Sequence, residues 1–457
     1  MIDLKKNVYL KVGALVFITL LLLIPKSMIT SLIHEREYRQ DAAISEVTTK
    51  WADSQTITGP VVSVPYYRHT KDSDGKITNT SKEYIHILPN NLEIVGELLP
   101  QKRHRGIFEI VVYNSKVNFK GTFTPIELSV LKVDPENILW NEAEFVVGIP
   151  DLRGIEQQVD LSWNNKSYSF NPGVSSSDII QSGINTRIEL DKSDSTTYAF
   201  NFDLELKGSQ LLYFTPVGKV TDVKIKSNWA NPSFNGSFLP DTSNVSDKGF
   251  YANWNVLHLN RNFPQRWIGS SYDIANNSFG IDLILPIDNY QKSYRASNYA
   301  ILFIGFTFIA FFFMEIMNRI FIHPIQYILV GISLIVFYTL LLSFSEHMVF
   351  NLAFWIAASA TILLISLYCK AILKSTKLSL FIGGLLLVLY TFIFVIIQVQ
   401  DYALLIGSVG LFIIIGFIMY FSRKIDWYNL NGDEPKSRID SIDPPTPNPT
   451  ENEGREF

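Results

Sequence analysis

Ionisable side chains inside or at the edge of apolar segments are costly to place, so those present mark where chemistry is feasible. Glu315 sits in the last turn of one apolar run, with Arg319 four residues on. It either snorkels to an interface or pairs with Arg319. Glu346 and His347 close the next run and Asp401 opens the last, while Lys292 and Arg295 precede the run that holds Glu315. The connections at 344–350 and 398–401 are very short. Glu346, His347 and Asp401 must therefore share nearly one depth, and the two cations enter at that depth as well. The expected chemistry is charge pairing of Glu346 or Asp401 with Lys292 or Arg295, worth ~1 kcal/mol at a partly hydrated rim. The competing arrangement has each group pointing separately into water or head groups. No run carries an acid or base near its centre, where a proton relay or ion-coupled pump needs one.

A second group is basic. Lys102-Arg103-His104-Arg105 precedes a strand-like run and suits anionic lipid head groups or glycans. A solvated turn between strands is the alternative. Trp229, Trp254 and Trp267 gather with Phe214, Phe234, Phe238 and Phe250, either as a groove for a glycan or acyl chain or as an aromatic core. Enzyme signatures are missing: there is no HExxH, GxSxG, phosphate-binding glycine loop or Cys/His cluster. His34-Glu35-Arg36-Glu37 lacks the second histidine of a zinc-protease helix, and the seven histidines are scattered. These patterns predict a protein that is no enzyme and carries no metal or cofactor.

The elements that must position these residues are membrane spans. Apolar runs occupy 8–33, 297–317, 325–345, 348–368, 378–398 and 401–422. About 20 residues are needed to cross a hydrocarbon core. Lys5, Lys6 and Lys11 stand on the N-terminal side of the first run. That run lacks a small-x-small cleavage site and resumes after Pro25, so it reads as a signal anchor and not a cleaved signal peptide. With the N-terminus inside, the short inner loops hold Arg319, then Lys370, Lys374 and Lys377, then Arg423 and Lys424, and the short outer loops hold none. The positive-inside rule thus places 34–296 outside, in the periplasm of a bacterium, and both termini in the cytoplasm.

The expected organisation is an anchor at 1–33, a β-rich periplasmic domain at 34–296, a five-helix bundle at 297–428 and a disordered cytoplasmic tail at 429–457. The insert alternates with period two, as in Tyr84-Ile85-His86-Ile87-Leu88 and in Tyr198-Ala199-Phe200-Asn201-Phe202-Asp203-Leu204. Such runs predict antiparallel strands and a β-sandwich, single or doubled. The helical exception, 35–51, extends the first span outward. The fold class is therefore an α+β membrane protein with six transmembrane helices. The insert has 26 Lys and Arg against 31 Asp and Glu, without blocks, which gives no support for nucleic-acid binding. The chain's one cysteine, Cys369, lies in a span, so the insert forms no disulfide. The tail has seven acids, three bases and a run of prolines at 444–449, too little apolar surface to fold.

Ordered motifs along the chain resemble the CreD family of inner membrane proteins, known also as cell envelope integrity proteins. They include Gly59-Pro60, Val64-Pro65-Tyr66, Arg103-His104-Arg105-Gly106 and Pro232-Ser233-Phe234-Asn235-Gly236. Leu259-Asn260-Arg261 with Pro264-Gln265 follows, then Ile322-His323-Pro324-Ile325-Gln326-Tyr327, Asp401-Tyr402-Ala403-Leu404-Leu405 and Asp426-Trp427-Tyr428. The resemblance implies an inner-membrane factor of envelope integrity, usually governed by a CreBC-type two-component system. It supplies no catalytic residues. The expected partners are the lipid bilayer and, through the insert, envelope proteins, lipid head groups or cell-wall polymer. A transporter or lipid-handling path through the bundle is the alternative function.

The topology has a direct test. Alkaline phosphatase fused after residue 200 should be active and the same fusion at the tail inactive, the reverse pattern overturning the orientation.

Overall fold

The computed structural model describes residues 8–425 apart from 75, 125–130, 132, 192–195, 286–288, 400, 401 and 424. The expected disordered tail, 429–457, and Asp401 lie outside the described residues. The chain divides into two compact units, one comprising Met1–His34 with Asn289–Phe457 and the other Glu35–Asp288. Residues 289–296, assigned from sequence to the insert, go with the helices, because the helix Asn289–Asn298 buries Tyr290, Ser293, Ala296 and Ser297.

The helical unit contains α1 (Val8–Leu21), the start of α2 (Leu23–Trp51), α3 (Asn289–Asn298) and α4 (Ala300–Asn318). It continues with α5 (Pro324–Ser345), α6 (Phe350–Leu373), α7 (Thr376–Gln398) and α8 (Ala403–Ser422). Six stretches among the described residues are long and apolar enough to cross a membrane, α1 and α2 counting as one. The polar stretch 35–51 stays helical to Trp51. The helix ends are chemically specified. Arg319 and Lys374 close α4 and α6 in the left-handed region, with φ of 51° and 48°. His323 caps α5: its Nδ1 accepts from the Ile325 N–H at 3.3 Å, and the Gln326 side chain accepts from the His323 N–H at 3.0 Å. Pro324 occupies the first turn, where a missing N–H costs nothing.

Aromatic rings fill the interior among α4 to α7. Tyr390 lies 4.5 Å from Phe303 and 4.6 Å from Phe337, and Phe354 lies 5.4 Å from Phe337 and 5.1 Å from Phe394. Small residues set the closest approaches. A Cβ on Gly331 of α5 would run into Leu22, the buried residue joining α1 to α2, and would meet the Phe308 ring at 3.0 Å. Ala353, Ala357 and Thr361 on α6 are likewise buried in the bundle. The last helix, α8, packs along α7 and buries none of its residues fully.

The second unit is built of strands. In chain order they are β1 (Gln55–Lys71), β2 (Ile77–Ile87), β3 (Asn91–Arg105), β4 (Phe108–Phe123), β5 (Glu144–Gly148) and β6 (Asp160–Trp163). Next come β7 (Lys166–Ser169), β8 (Asn171–Pro172), β9 (Gly183–Arg187), β10 (Tyr198–Ser209), β11 (Leu211–Thr215) and β12 (Val220–Ser227). The set ends with β13 (Pro232–Gly236), β14 (Thr242–Ser246), β15 (Gly249–Leu257), β16 (Arg266–Ile268) and β17 (Phe279–Leu283). One sheet runs β13-β17-β11-β1-β5-β9-β8, with β2 on β1 and β16 on β2; the other runs β14-β15-β12-β3-β4-β10-β6-β7. Both are mixed. The pairs β1/β11 and β3/β12 are parallel and the rest antiparallel, so the all-antiparallel expectation needs this correction. Parallel neighbours require long crossovers, which period-two runs do not reveal.

Alternating strands supply the shared core. Tyr198, Phe200, Phe202, Leu204 and Leu206 of β10 turn inward, and Phe202 stacks on Phe119 of β4 at 4.8 Å. The hairpin from β3 to β4 turns on Gly106, whose φ of 60° suits the first position of a two-residue turn. In β1, by contrast, every residue from Ile57 to Tyr66 is buried. One face of β1 meets the core, and the other is covered as well.

Gly331→Val should lower the thermal midpoint of the purified protein by the equivalent of about 1–3 kcal/mol of overpacking. Gly384→Val, at a site with open space for a Cβ, should leave it nearly unchanged.

Candidate functional site

The covered outer face of the β1 sheet carries a line of polar side chains. Trp267 of β16 pairs with His86 of β2, His86 with Ser63 of β1, Ser63 with Glu144 of β5, and Glu144 with Arg187 of β9. Directly opposed residues share a face, so these five form one row across five strands. Ser63 stands between Val62 and Val64, which face the core, and pleating turns it the other way.

Ser63 Oγ lies 3.0 Å from His86 Nδ1, and His86 Nε2 lies 3.2 Å from Asp178 Oδ2 in the β8–β9 connection. A carboxylate only accepts, so Nε2 carries the proton and Nδ1 accepts from the serine hydroxyl. Burial pushes the His86 imidazole below its ordinary 6.5, and the hydrogen bond and charge of Asp178 pull the other way. Ser175 Oγ donates to Glu144 Oε1 at 2.7 Å. Glu144 Oε2 and Trp267 Nε1 are buried with no hydrogen-bond partner.

A cavity of about 600 Å³ is cut into the same unit, with Thr56, Thr58 and Gly148 on one wall, Asp178 and Ser182 on another and Tyr272 on a third. The Ser63–His86–Asp178 chain has the residue order of an acyl-transfer triad, but with the two imidazole nitrogens exchanged and without its access. Ser63 is 6% exposed, lies in a strand paired on both sides, and is not part of the cavity lining. Asp178 alone of the three reaches the cavity. The chain is thus a hydrogen-bond brace that orients Asp178 from behind. Single polar residues inside apolar strand runs, Ser63 in Val62-Ser63-Val64 and His86 in Ile85-His86-Ile87, were the available signal.

A second polar cluster lies inside the helical unit. Lys11 of α1 forms an ion pair with Glu315 of α4, and both residues are 7% exposed. Lys11 Nζ also donates to the Ile322 carbonyl at 3.2 Å and lies 4.5 Å from the Phe321 ring centre. Glu315 accepts from the Ile322 N–H at 3.2 Å and from the Tyr327 hydroxyl at 3.0 Å. Glu315 therefore pairs with Lys11, not with Arg319, which terminates α4 with a left-handed backbone that turns the chain away. In the sequence Glu315 either snorkels or pairs with Arg319, and Lys11 reads only as part of the basic flank.

The other expected residues distribute as follows. Glu346 accepts from the Tyr290 hydroxyl at 3.1 Å. Lys292 Nζ lies 5.6 Å from the Phe350 ring centre, and Arg295 donates to the Ile396 carbonyl at 3.2 Å. Among the described ion pairs none joins Glu346 to Lys292 or Arg295, because on α3 these cations project toward α6 and α7. His347 follows α5, its N–H bonded to the Phe344 carbonyl at 3.0 Å. In the basic run, Lys102 and His104 share Glu109 at 3.0 and 3.3 Å, and Arg105 holds Glu46 through two bonds of 3.0 and 2.8 Å. Arg103 lies 5.0 Å from the Trp51 ring. Much of this positive charge is thus matched within the domain. Trp254, Phe234, Phe250 and Phe238 join the core, with Trp254 5.7 Å from Phe234. Trp267 belongs to the same core and also borders the polar row, 5.8 Å from His86.

The family profile described as "Inner membrane protein CreD" matches residues 7–428. "Inner membrane protein CreD" of Escherichia coli (strain K12) is 33% identical over 434 residues, covering 93% of this chain and 95% of that protein. The crystal structure of an M1 zinc metallopeptidase from Deinococcus radiodurans superposes at a TM-score of 0.19 and 7% identity over 40% of this chain and 42% of that one. That likeness carries no argument.

Two measurements probe these clusters. Glu315→Gln should destabilise the detergent-purified protein by about 3–5 kcal/mol, the usual cost of orphaning a buried charge, and adding Lys11→Met should restore most of it. For His86 the folded imidazole binds a proton less readily than the unfolded one. Stability of the β domain is therefore full above pH 6.5 and falls as pH drops below it, by at most ~1.4 kcal/mol per pH unit. His86→Asn should flatten the dependence of the thermal midpoint between pH 7.5 and 5.5.

Proposed function

The chain belongs to the CreD family of inner membrane proteins, and from that premise we propose that it maintains the cell envelope without catalysis. In this reading the β domain lies in the periplasm and binds an envelope protein, lipid or wall polymer, while both termini stay in the cytoplasm. The observation that carries it is the pairing of a recessed cavity with a Ser–His–Asp chain whose serine is sealed off. Such a site can hold and orient a ligand without presenting that serine to it. The one-sided lysines and arginines of the short loops support the orientation.

Transport through the bundle is the second reading. The buried Lys11–Glu315–Tyr327 cluster favours it, since intramembrane charge often marks a pathway. The packed rings around Tyr390 oppose it. Complementation separates the two. In cells lacking the protein, sensitivity to detergent and leakage of periplasmic enzymes should be corrected by the full chain. A chain with residues 55–283 replaced by a flexible linker should fail to correct them. Full correction by that bundle-only chain would overturn the proposal in favour of transport.

A further inference from the structure

The cavity of the β domain has a composition that selects among ligands. Its lining contains Asp178 and Asp273, the hydroxyls of Thr56, Thr58 and Ser182, and the ring of Tyr272, with no lysine or arginine. An anionic ligand would face two carboxylates with no counter-charge. An acyl chain would meet Ile149, Ile179, Ile180 and Ile274 but would leave the remaining lone pairs of both carboxylates desolvated, at ~1–3 kcal/mol for each group. An uncharged polyhydroxylated ligand meets neither obstacle: its hydroxyls donate to carboxylates, and its C–H faces lie on aromatic rings.

The supporting groups are held in place. His86 fixes Asp178 through Oδ2 at 3.2 Å and is itself locked by Ser63. Asp273 accepts from the Ala275 N–H at 3.0 Å and from the Asn276 side chain at 2.8 Å, which leaves further lone pairs on both oxygens. Tyr272 packs edge-on against Trp267 at 5.7 Å with 38% of the residue exposed, so the ring is anchored and still accessible. Trp267 in turn lies 5.8 Å from His86, so the aromatic wall and the carboxylate wall share one support. The volume, about 600 Å³, falls within the range of small-ligand sites.

We propose that this cavity binds an uncharged glycan segment, a sugar ring lying on Tyr272 and its hydroxyls donating to Asp178 and Asp273. The inference rests on the reading that the β domain works by binding, and it names the ligand class. Trp267 Nε1, buried and unbonded beside Tyr272, reports on occupancy through its fluorescence.

The test uses the full-length protein in detergent micelles. Tetrasaccharides of β-1,4-linked N-acetylglucosamine and of β-1,4-linked glucose are titrated by calorimetry and tryptophan fluorescence. At least one should bind saturably. Tyr272→Ala should weaken that binding at least tenfold and Asp178→Asn at least fivefold, whereas Tyr272→Phe, which keeps the ring, should stay within twofold of wild type. Thermal melts identify any variant that fails to fold, and Tyr272→Phe with Asp178→Asn then carry the comparison. Absence of saturable binding by both sugars at millimolar concentration overturns the proposal. So does binding that folded Tyr272→Ala leaves unchanged, or tighter binding of a lysine-rich peptide lost in Asp178→Asn. If both sugars fail while cells still require residues 55–283, the glycan inference falls alone. If the bundle suffices in cells, the functional reading falls even where sugar binding stands.

Discussion

The ion pair between Lys11 and Glu315 joins residues 304 positions apart, one on the helix before the β insert and one on the helix after it. In hydrocarbon neither charge can be left alone, and each brings further partners. Lys11 reaches the Ile322 carbonyl, and Glu315 takes hydrogen bonds from the Ile322 N–H and the Tyr327 hydroxyl. The start of α1, the end of α4 and the start of α5 are thereby tied at one point. Desolvation of the two charges offsets their attraction in such a pair. What it supplies is registry, since a displaced α1 would strand a carboxylate in an apolar interior. Gly331 acts to the same end, letting the α1–α2 junction at Leu22 approach α5 closely.

The β unit depends on a comparable constraint at β1. This strand pairs with β11, β5 and β2 along successive parts of its length. Its middle is covered on both faces, so a polar residue there must find a partner. Ser63 finds His86, and His86 finds Asp178. One consequence is a rigid platform behind the cavity. Another is that a constellation resembling a hydrolase works as a brace, because the serine is enclosed by the sheet that positions it.

Several residues of the family-like motifs prove structural. His323, Pro324 and Gln326 form the cap of α5, and Tyr327 completes the buried cluster. Arg261 donates to the carbonyls of Phe263, Val217 and Gly218 at 2.6, 3.1 and 3.2 Å, and burial pushes its guanidinium down to about 10. Gln265 continues the network by donating to the Pro89 carbonyl at 2.9 Å. These side chains neutralise backbone carbonyls where loops cross, a need met by long donors that no local pattern predicts.

Hydrophobic length and period-two alternation determined from sequence alone that six helices flank and follow a β-rich insert, since both signals depend only on near neighbours. The helical run 35–51 was legible for the same reason. The mixed pairing of β1 with β11 and of β3 with β12 was not, because parallel neighbours are set by crossovers over a hundred residues long. Glu315 is legible as a costly residue that either snorkels or pairs with nearby Arg319, and the fold instead delivers Lys11 from 304 positions away. Ser63, His86, Asp178, Glu144 and Trp267 are unremarkable one by one. Only the register of four strands and the path of one loop bring them together, and register is decided by which faces the whole domain can bury.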